Sequence, residues 1–402
     1  MRYISLLLPI DSEKHVEYST ENTEPHFYNE NLYDKYMILN KLRNRMVIQK
    51  NYRDIVRLSH PFEYLNIYVN CSFIPGAKPI KITNAFMKMW EFLLWLKNKS
   101  LFNFKKPVDM FDIAGAPGMF VIATDNFIKK YYPNSSLNWY SCSLEGGTAL
   151  TDSYGLYKNN LDRYKSCDVS NETDLKDCLN WVNRKFNLVT GDIGIFHEDV
   201  YEKLQEEDQL NIQWGQMVLA LNLCENGGVL FLKMYSLVTK ETVYLLDTLT
   251  GYFENVYIVK PYASRVLNTE SYIICINKNK KDVSNVPFVR PYIKNYTSDN
   301  IDLIKSFEYS RLDIKFRMNN LINHLLSSQP NLRMEEAKEN AIYKVYFEEF
   351  KDIYDTITQI TKDDNQQKET SKEKPNKAIE QKKQKKQNTD IIIKNKTLLL
   401  TD

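Results

Sequence analysis

The stretch Phe111-Asp-Ile-Ala-Gly-Ala-Pro-Gly-Met-Phe120 constrains this chain more than any other: an apolar strand runs into a Gly/Pro turn and straight into the helical spacing of Val121 to Ile128. Few folds accept a strand that turns at once into a helix. In an α/β domain such a turn brings backbone N–H groups close to a bound molecule, because glycine has no side chain to block the approach. Gly115 and Gly118 hold that place here. No Gly-Lys-Ser/Thr follows Gly118, which excludes a phosphate loop. A dinucleotide site wants three spaced glycines, whereas Pro117 stiffens this turn and Met119 stands where a third small residue would sit. An Ala-Pro-Gly turn opened by an acidic residue suits S-adenosylmethionine. Asp112 is then placed to meet the cationic methionine moiety, with Gly115, Ala116, Pro117, Gly118, Met119 and Phe120 as the rest of the site. On this segment alone, an ordinary strand-to-helix turn explains the pattern equally well.

From Met110 to Asn277 apolar runs alternate with helical stretches, the arrangement of a parallel sheet covered on both faces. The expected strands are Met110 to Ala114, Leu137 to Ser143, Asn187 to Gly191, Gly228 to Met234, Asn255 to Val259 and Ser271 to Ile276. A helix from Asp208 to Cys224 is expected to stop at the Asn226-Gly-Gly228 break. The fold class that follows is α/β, a doubly wound Rossmann-like domain over residues 81–280. Residues 1–80 read as an N-terminal extension packed on it, with a helix from Asn31 to Arg57. Thr83 is a candidate cap for a helix reaching about Lys99, which is apolar nearly all round and therefore buried. In residues 281–360, Ile301 to Leu326 and Arg333 to Ile357 carry apolar residues at helical spacing, as in a helical subdomain. Residues 361–402 form a polar Lys/Gln-rich tail whose composition favours disorder.

With 43% hydrophobic and 13% aromatic residues, the 402-residue chain can bury a sizeable core. Its 53 basic residues against 51 acidic ones exclude a global charge drive toward nucleic acid, so any RNA contact must come from a local patch. Six cysteines without a C-x-x-C pair and five dispersed histidines argue against a metal site or a disulfide framework. Reduced thiols point to an intracellular, cytoplasmic location. The apolar run Ile4 to Ile10 is followed by Asp11 and Glu13 without a small-residue cleavage site, unlike a signal peptide. No apolar stretch approaches the ~20 residues that span a bilayer, so a membrane partner is not expected.

Four charged residues stand where the sheet pattern wants apolar ones or a plain loop. Lys88 lies in the buried helix and Asp192 follows Val189-Thr-Gly191. Lys233 interrupts Val229-Leu-Phe-Leu232 and Met234, and Glu270 opens Ser271 to Ile276. Taken singly, Lys88 pairs as well with Glu91, Asp192 caps a helix, Lys233 snorkels and Glu270 is an exposed strand residue. Ligands of open α/β sheets bind outside the carboxyl ends of strands, where Asp192 and Lys233 both fall.

In this order, and with the Ala-Pro-Gly turn between the first two, Lys88, Asp192, Lys233 and Glu270 resemble the K-D-K-E tetrad of the FtsJ superfamily of RNA ribose 2′-O-methyltransferases. The flanks Thr83-Asn-Ala-Phe-Met-Lys88-Met-Trp-Glu91, Leu188-Val-Thr-Gly-Asp192, Asn226-Gly-Gly-Val-Leu-Phe-Leu-Lys233-Met-Tyr-Ser236 and Lys260-Pro-Tyr-Ala-Ser-Arg265 leading to Asn268-Thr-Glu270-Ser-Tyr272 resemble its Adrift-type branch. That branch includes cap 2′-O-methyltransferases and relatives in large cytoplasmic DNA viruses, an echo that Tyr154-Gly-Leu-Tyr157 strengthens. The resemblance covers about residues 75 to 280. It departs from the family at Met119, where many members have a second glycine, and in lacking an acid at the end of Leu137 to Ser143. Asp168, in Cys167-Asp-Val169, fits the family's adenine-contacting acid.

The resemblance implies S-adenosylmethionine as cofactor and RNA, in the first place capped mRNA, as substrate. Ribosomal or transfer RNA, or a silent scaffold role, are the alternatives. It also implies capping or transcription proteins as partners and a virion as a second location. Lys233 is then the candidate base for a ribose 2′-hydroxyl. A lysine near its usual pKa of ~10.4 cannot take that proton at neutral pH, so its pKa has to fall. Lys88 would help as a like charge, while Asp192 and Glu270 orient both amines and pull the pKa the other way. Lys260 and Arg265, with Asn268 beside them, are candidate substrate contacts in the loop before Glu270.

Overall fold

A computed structural model describes residues 5–10, 13–21, 24–48, 60, 62, 65–146, 152–194, 203–279, 282–328, 356, 357 and 359. The architecture below lies within residues 1–350. In chain order its elements are β1 (Ser5–Leu8), β2 (Lys14–Tyr18), α1 (Glu30–Val47), β3 (Tyr68–Val69), β4 (Ile80–Lys81), α2 (Asn84–Asn98), β5 (Val108–Ile113), α3 (Met119–Tyr131), β6 (Leu137–Ser143), β7 (Tyr164–Ser166), α4 (Glu172–Val182), β8 (Phe186–Gly191), α5 (Gln205–Leu223), β9 (Cys224–Met234), α6 (Lys240–Thr250), β10 (Phe253–Val259), β11 (Ser271–Lys278), β12 (Ile293–Ser298) and α7 (Asn300–Ser328).

Eight strands form one sheet in the order β1-β10-β11-β9-β8-β5-β6-β7. From β9 to β7 neighbours run parallel, with helices on the crossovers. The expectation of a wholly parallel sheet is corrected beyond β9, where β11, β10 and β1 pair antiparallel. The connection 260–270 between β10 and β11 contains no helix. Without a crossover element the chain returns as a hairpin, which makes the pair antiparallel.

The Asn226-Gly-Gly228 break is corrected too. Helix α5 passes into β9 at Cys224, and the three residues are absorbed as an irregularity. Phe186 faces Cys224 while Leu188 faces Val229, and Gly227 adopts φ +79°. Thr83 sits at the N-cap of α2 with extended backbone but makes no side-chain capping bond. The helix expected from Asn31 begins one residue earlier, capped by Asn29 accepting from the Leu32 N–H, and ends at Val47; residues 49–59 lie outside the described residues. Ile301 to Leu326 lies within α7, whereas residues 333–355 and the tail 361–402 lie outside the described residues.

The apolar run near the start supplies β1, the edge strand, and β2 pairs with β12 in a separate two-stranded sheet. The segments before residue 80 and after residue 280 therefore meet each other and the central sheet. Among the described residues no helix is long and apolar enough to cross a membrane.

Helix α2 buries Phe86, Met89, Trp90, Phe92, Leu93 and Leu96 completely. Phe92 stacks on Phe231 of β9 at 4.2 Å between ring centroids, and Phe231 stacks on Tyr272 of β11 at 4.5 Å. Phe120, at the start of α3, closes on Phe231 at 5.8 Å. These rings set the depth of α2 against β9 and β11. Phe92→Ala removes the outer ring of a stack too tight to collapse, and an equilibrium urea titration should show a loss of about 3–5 kcal/mol of stability.

Candidate active site

At the carboxyl ends of β5, β6 and β8 lies a cavity of about 430 Å³. Its wall includes Asp112, Gly115, Ala116, Pro117, Met119 and Phe120 from the first turn, Cys167, Asp168 and Ser170 after β7, and Asp192, Ile193 and Gly194 after β8. The turn tolerates no larger residues at its glycines. A Cβ on Gly115 would stand 2.4 Å from Ser141 Oγ and 2.6 Å from Asp112 Oδ2, and one on Gly118 (φ +101°) would stand 2.3 Å from Leu156 Cδ2. Gly118 is thus the N-cap that shapes the turn, outside the wall itself. The Tyr154-Gly-Leu-Tyr157 segment closes the same region: Tyr154 lines the cavity, Leu156 packs on Gly118, and the Tyr157 hydroxyl lies 3.3 Å from Ser141 Oγ.

Asp112 is almost fully buried. Its Oδ1 accepts from Thr190 Oγ1 at 2.7 Å, whereas its Oδ2 has no hydrogen-bond partner. Burial pushes this carboxyl up to about 7; the Thr190 hydrogen bond opposes the rise and the nearby Asp192 charge adds to it. An orphaned carboxylate oxygen beside a cavity is a receptor for a cation or a strong donor. Asp168 is half-buried and its Oδ1 accepts from the Ser170 N–H and Oγ at 2.9 and 2.7 Å.

The four charged residues converge at Asp192, which is also part of the cavity wall. Lys88 Nζ lies 3.3 Å from Asp192 Oδ2 and 3.4 Å from Glu270 Oε2. Lys233 Nζ lies 3.3 Å from Asp192 Oδ1 and 3.8 Å from Glu270 Oε2. Tyr272, opposite Lys233 in the β9–β11 register, donates its hydroxyl to Asp192 Oδ1 at 2.6 Å. Burial first, then the two carboxylates, keeps that phenol protonated and a donor. Burial would raise the Glu270 carboxyl, but the ammoniums of Lys88, Lys233 and Lys260 hold it well below the usual carboxylate range.

The opposing pulls on Lys233, left open by the sequence, are weighed by the distances. Burial favours the neutral amine of Lys233, yet the carboxylates of Asp192 and Glu270 outweigh it and hold its pKa above that of an ordinary lysine. At rest Lys233 is an ammonium.

The role expected of Lys260 is corrected. Its side chain is buried, and Nζ donates to Ser264 Oγ (2.6 Å), the Asn268 carbonyl (3.0 Å) and the Glu270 carbonyl (2.8 Å), so it braces the loop from within. Arg265 and Asn268 are half-buried in the same loop.

Sequence reasoning passed over three contributors. Glu91, suggested as a partner for Lys88, instead accepts the N–H groups of Tyr262 and Ala263 at 3.0 and 3.1 Å, tying α2 to the loop before Glu270. Its carboxyl is pushed up to about 7, by burial against those two hydrogen bonds. Gly194 lets the Tyr235 hydroxyl and Lys233 Nζ close on the backbone after β8, since a Cβ there would lie 2.2 Å from the first and 3.0 Å from the second. Cys142, Cys167 and Cys178, far apart in sequence, bring their sulfurs within 4.8 Å of one another, with Cys167 in the cavity wall. Only Gly194, two residues beyond Asp192, carried a local signal.

The model of the FtsJ-like methyltransferase family matches residues 84–278. The African swine fever virus protein "Probable methyltransferase EP424R" is 32% identical over 216 residues, covering 49% of this chain and 49% of that protein. The "Cap-specific mRNA (nucleoside-2'-O-)-methyltransferase" of Autographa californica nuclear polyhedrosis virus is 29% identical over 252 residues, covering 59% of this chain and 85% of that protein. A Drosophila melanogaster protein, "Cap-specific mRNA (nucleoside-2'-O-)-methyltransferase 2", is 26% identical over 257 residues, covering 60% of this chain and 36% of that one. The chain spans about half the length of the African swine fever virus proteins it matches. Residues 84–278, which hold the cavity turn and all four convergent charges, belong to the FtsJ-like methyltransferase family.

Proposed function

We propose that this chain transfers a methyl group from S-adenosylmethionine to a ribose 2′-hydroxyl near the 5′ end of capped mRNA. One observation carries the reading: Asp192 belongs both to the wall of the cavity and to the ion pairs of Lys88 and Lys233, so a donor and an acceptor would meet at this carboxylate. The names of the baculovirus and Drosophila relatives support the choice of capped mRNA.

When bound, S-adenosylmethionine supplies a methyl group on a positively charged sulfur. Asp112 Oδ2 is the group that would hold the cationic methionine end, and Asp168 the one that would meet the adenosine end, beyond the turn. The hydroxyl would be held before Lys233, beside Gly194 of the cavity wall. Much of the rate comes from that placement.

Charge balance accounts for the base. Among the four convergent side chains, two ammoniums and two carboxylates sum to zero at rest, with Lys233 protonated, while the Lys260 ammonium is taken up by Ser264 and the loop carbonyls. A cation in the cavity adds one positive charge beside Asp112 and Asp192, and neutralising Lys233 restores the balance. Lys88 stays with the carboxylates, so neither is stranded when Lys233 gives up its proton. Neutral Lys233 then accepts the proton of the attacking hydroxyl. Arg265 and Asn268 are the loop residues that would meet the RNA backbone.

Transfer of labelled methyl to short capped and uncapped RNAs, with the modified nucleotide mapped, should show cap-dependent 2′-O-methylation that Lys233→Ala lowers by at least about 100-fold. Because the ammonium form is inactive, log kcat should climb with pH at a slope of about 1 until it passes the pKa of Lys233 in the complex. Equal transfer to ribosomal or transfer RNA fragments would move the substrate class. No transfer by a folded protein that binds the donor would leave a scaffold. Donor binding gives a separate expectation. The Asp112 carboxyl ionises as pH rises through about 7, so S-adenosylmethionine should bind more tightly above that pH. Asp112→Asn should weaken binding by about 10- to 100-fold and flatten its pH dependence, as read by calorimetric titration.

A further inference from the structure

Glu270 lies at the end of the irregular 260–270 connection, not within a strand, so something must hold its peptide while two lysines compete for its side chain. Part of the support comes from within the FtsJ-like segment. Ser264 Oγ donates to Glu270 Oε1 at 2.5 Å, and Lys260 Nζ donates to the Glu270 carbonyl at 2.8 Å.

The rest comes from outside that segment. Arg311 of α7 is buried, and its Nη2 donates to the Thr269 carbonyl at 2.6 Å and to the Glu270 carbonyl at 3.3 Å. Its Nη1 pairs with Glu308 Oε1 one turn earlier on α7, and the second oxygen of Glu308 accepts the hydroxyl of Tyr36 from α1. Glu308 and Tyr36 have no exposed surface. A continuous chain of polar contacts therefore runs from α1 through α7 to the peptide of Glu270, and on to Lys88 and Lys233.

Stability is a poor explanation for this chain. Desolvating a buried Arg–Glu pair costs about as much as its attraction returns, and apolar residues of similar volume in such places are often neutral or stabilising. Apolar contact is already supplied close by, where Leu267 packs with Met46, Ile322 and Leu326. What the guanidinium adds is direction: a planar fork with one terminal nitrogen on the 269–270 carbonyls and the other on Glu308.

We infer that Arg311 is a positioning residue for Glu270, supplied by a helix outside the family segment and oriented by Glu308 and Tyr36. The inference rests on the methyl-transfer reading for its kinetic consequence but not for its geometry. It is tested with the full chain carrying Arg311→Met, which keeps the bulk and removes the donors, beside Arg311→Lys. The expected result for Arg311→Met is a cooperative melt, donor affinity within threefold of wild type and a kcat lower by about 10- to 100-fold. The acid limb of its pH–rate profile should move to lower pH, because Lys233 loses a carboxylate that holds its proton. Arg311→Lys, which still reaches one carbonyl, should recover part of kcat.

Wild-type kcat and an unmoved acid limb in Arg311→Met would overturn the inference. So would a fall in kcat matched by an equal loss of donor affinity, which marks general damage. Crystal structures of wild type and Arg311→Met read the geometry whatever the activity: a displaced Glu270 carboxylate supports the inference and an unmoved one overturns it. If the wild type methylates no RNA, the methyl-transfer reading fails while this structural comparison still decides the role of Arg311.

Discussion

Two ammonium groups share one carboxylate at the centre of this molecule, and most of what surrounds them exists to make that tolerable. Lys88 and Lys233 each stand 3.3 Å from an oxygen of Asp192. Each contact provides an attraction of about 5 kcal/mol at an effective dielectric of about 20, before the cost of desolvation. Without Asp192 the two lysines would repel each other in a buried space; without them Asp192 and Glu270 would do the same. Such a group is stable only when all its members are present and held to within a few tenths of an ångström. The Phe92–Phe231–Tyr272 stack does the holding, because it fixes the helix that carries Lys88, the strand that carries Lys233 and the strand that follows Glu270 at one mutual depth.

Topology explains how four positions spread over residues 88–270 reach one place. In a parallel sheet the carboxyl ends of the strands share an edge, which brings the turn after β5, Asp192 after β8 and Lys233 near the end of β9 to the cavity. Glu270 precedes its strand, so a parallel β11 would carry it to the far edge. Because β11 runs antiparallel, Ser271 faces Met234, and the residue before it arrives beside Lys233. The departure from an all-parallel sheet is thus what completes the site.

The turn and the tetrad were legible in the sequence because each breaks a rule that apolar patterning otherwise keeps: glycines where a strand meets a helix, and a lysine inside Val229 to Met234. What was not legible depends on what covers a residue. Lys260 looks like an exposed loop cation until burial gives all its donors to the loop. Glu91 is at helical spacing from Lys88, but spacing names a face and not the loop laid over it. The three-residue strand β7 is too short to show a period, and the β1–β10 edge pairs residues separated by most of the chain. The protonation of Lys233 was undecidable in principle, since burial and neighbouring charges push it in opposite directions and only distances weigh them.

The parts outside the family segment are built into its rear. Strand β1 covers the β10 edge, which would otherwise expose a row of unpaired backbone groups. Asp247 of α6 accepts from Tyr296 of β12 and Asn300 at the head of α7, while its carbonyl accepts from Lys14 of β2. Asp247 thereby ties both flanks to α6, its carboxylate holding Tyr296 and Asn300 and its main-chain carbonyl holding Lys14. From that anchor α7 runs to the loop that carries Glu270. Arg311 of α7 donates to the peptide carbonyls of Thr269 and Glu270, so displacing α7 would alter the charge balance around Lys233 through the backbone of Glu270, with all four charged side chains still present.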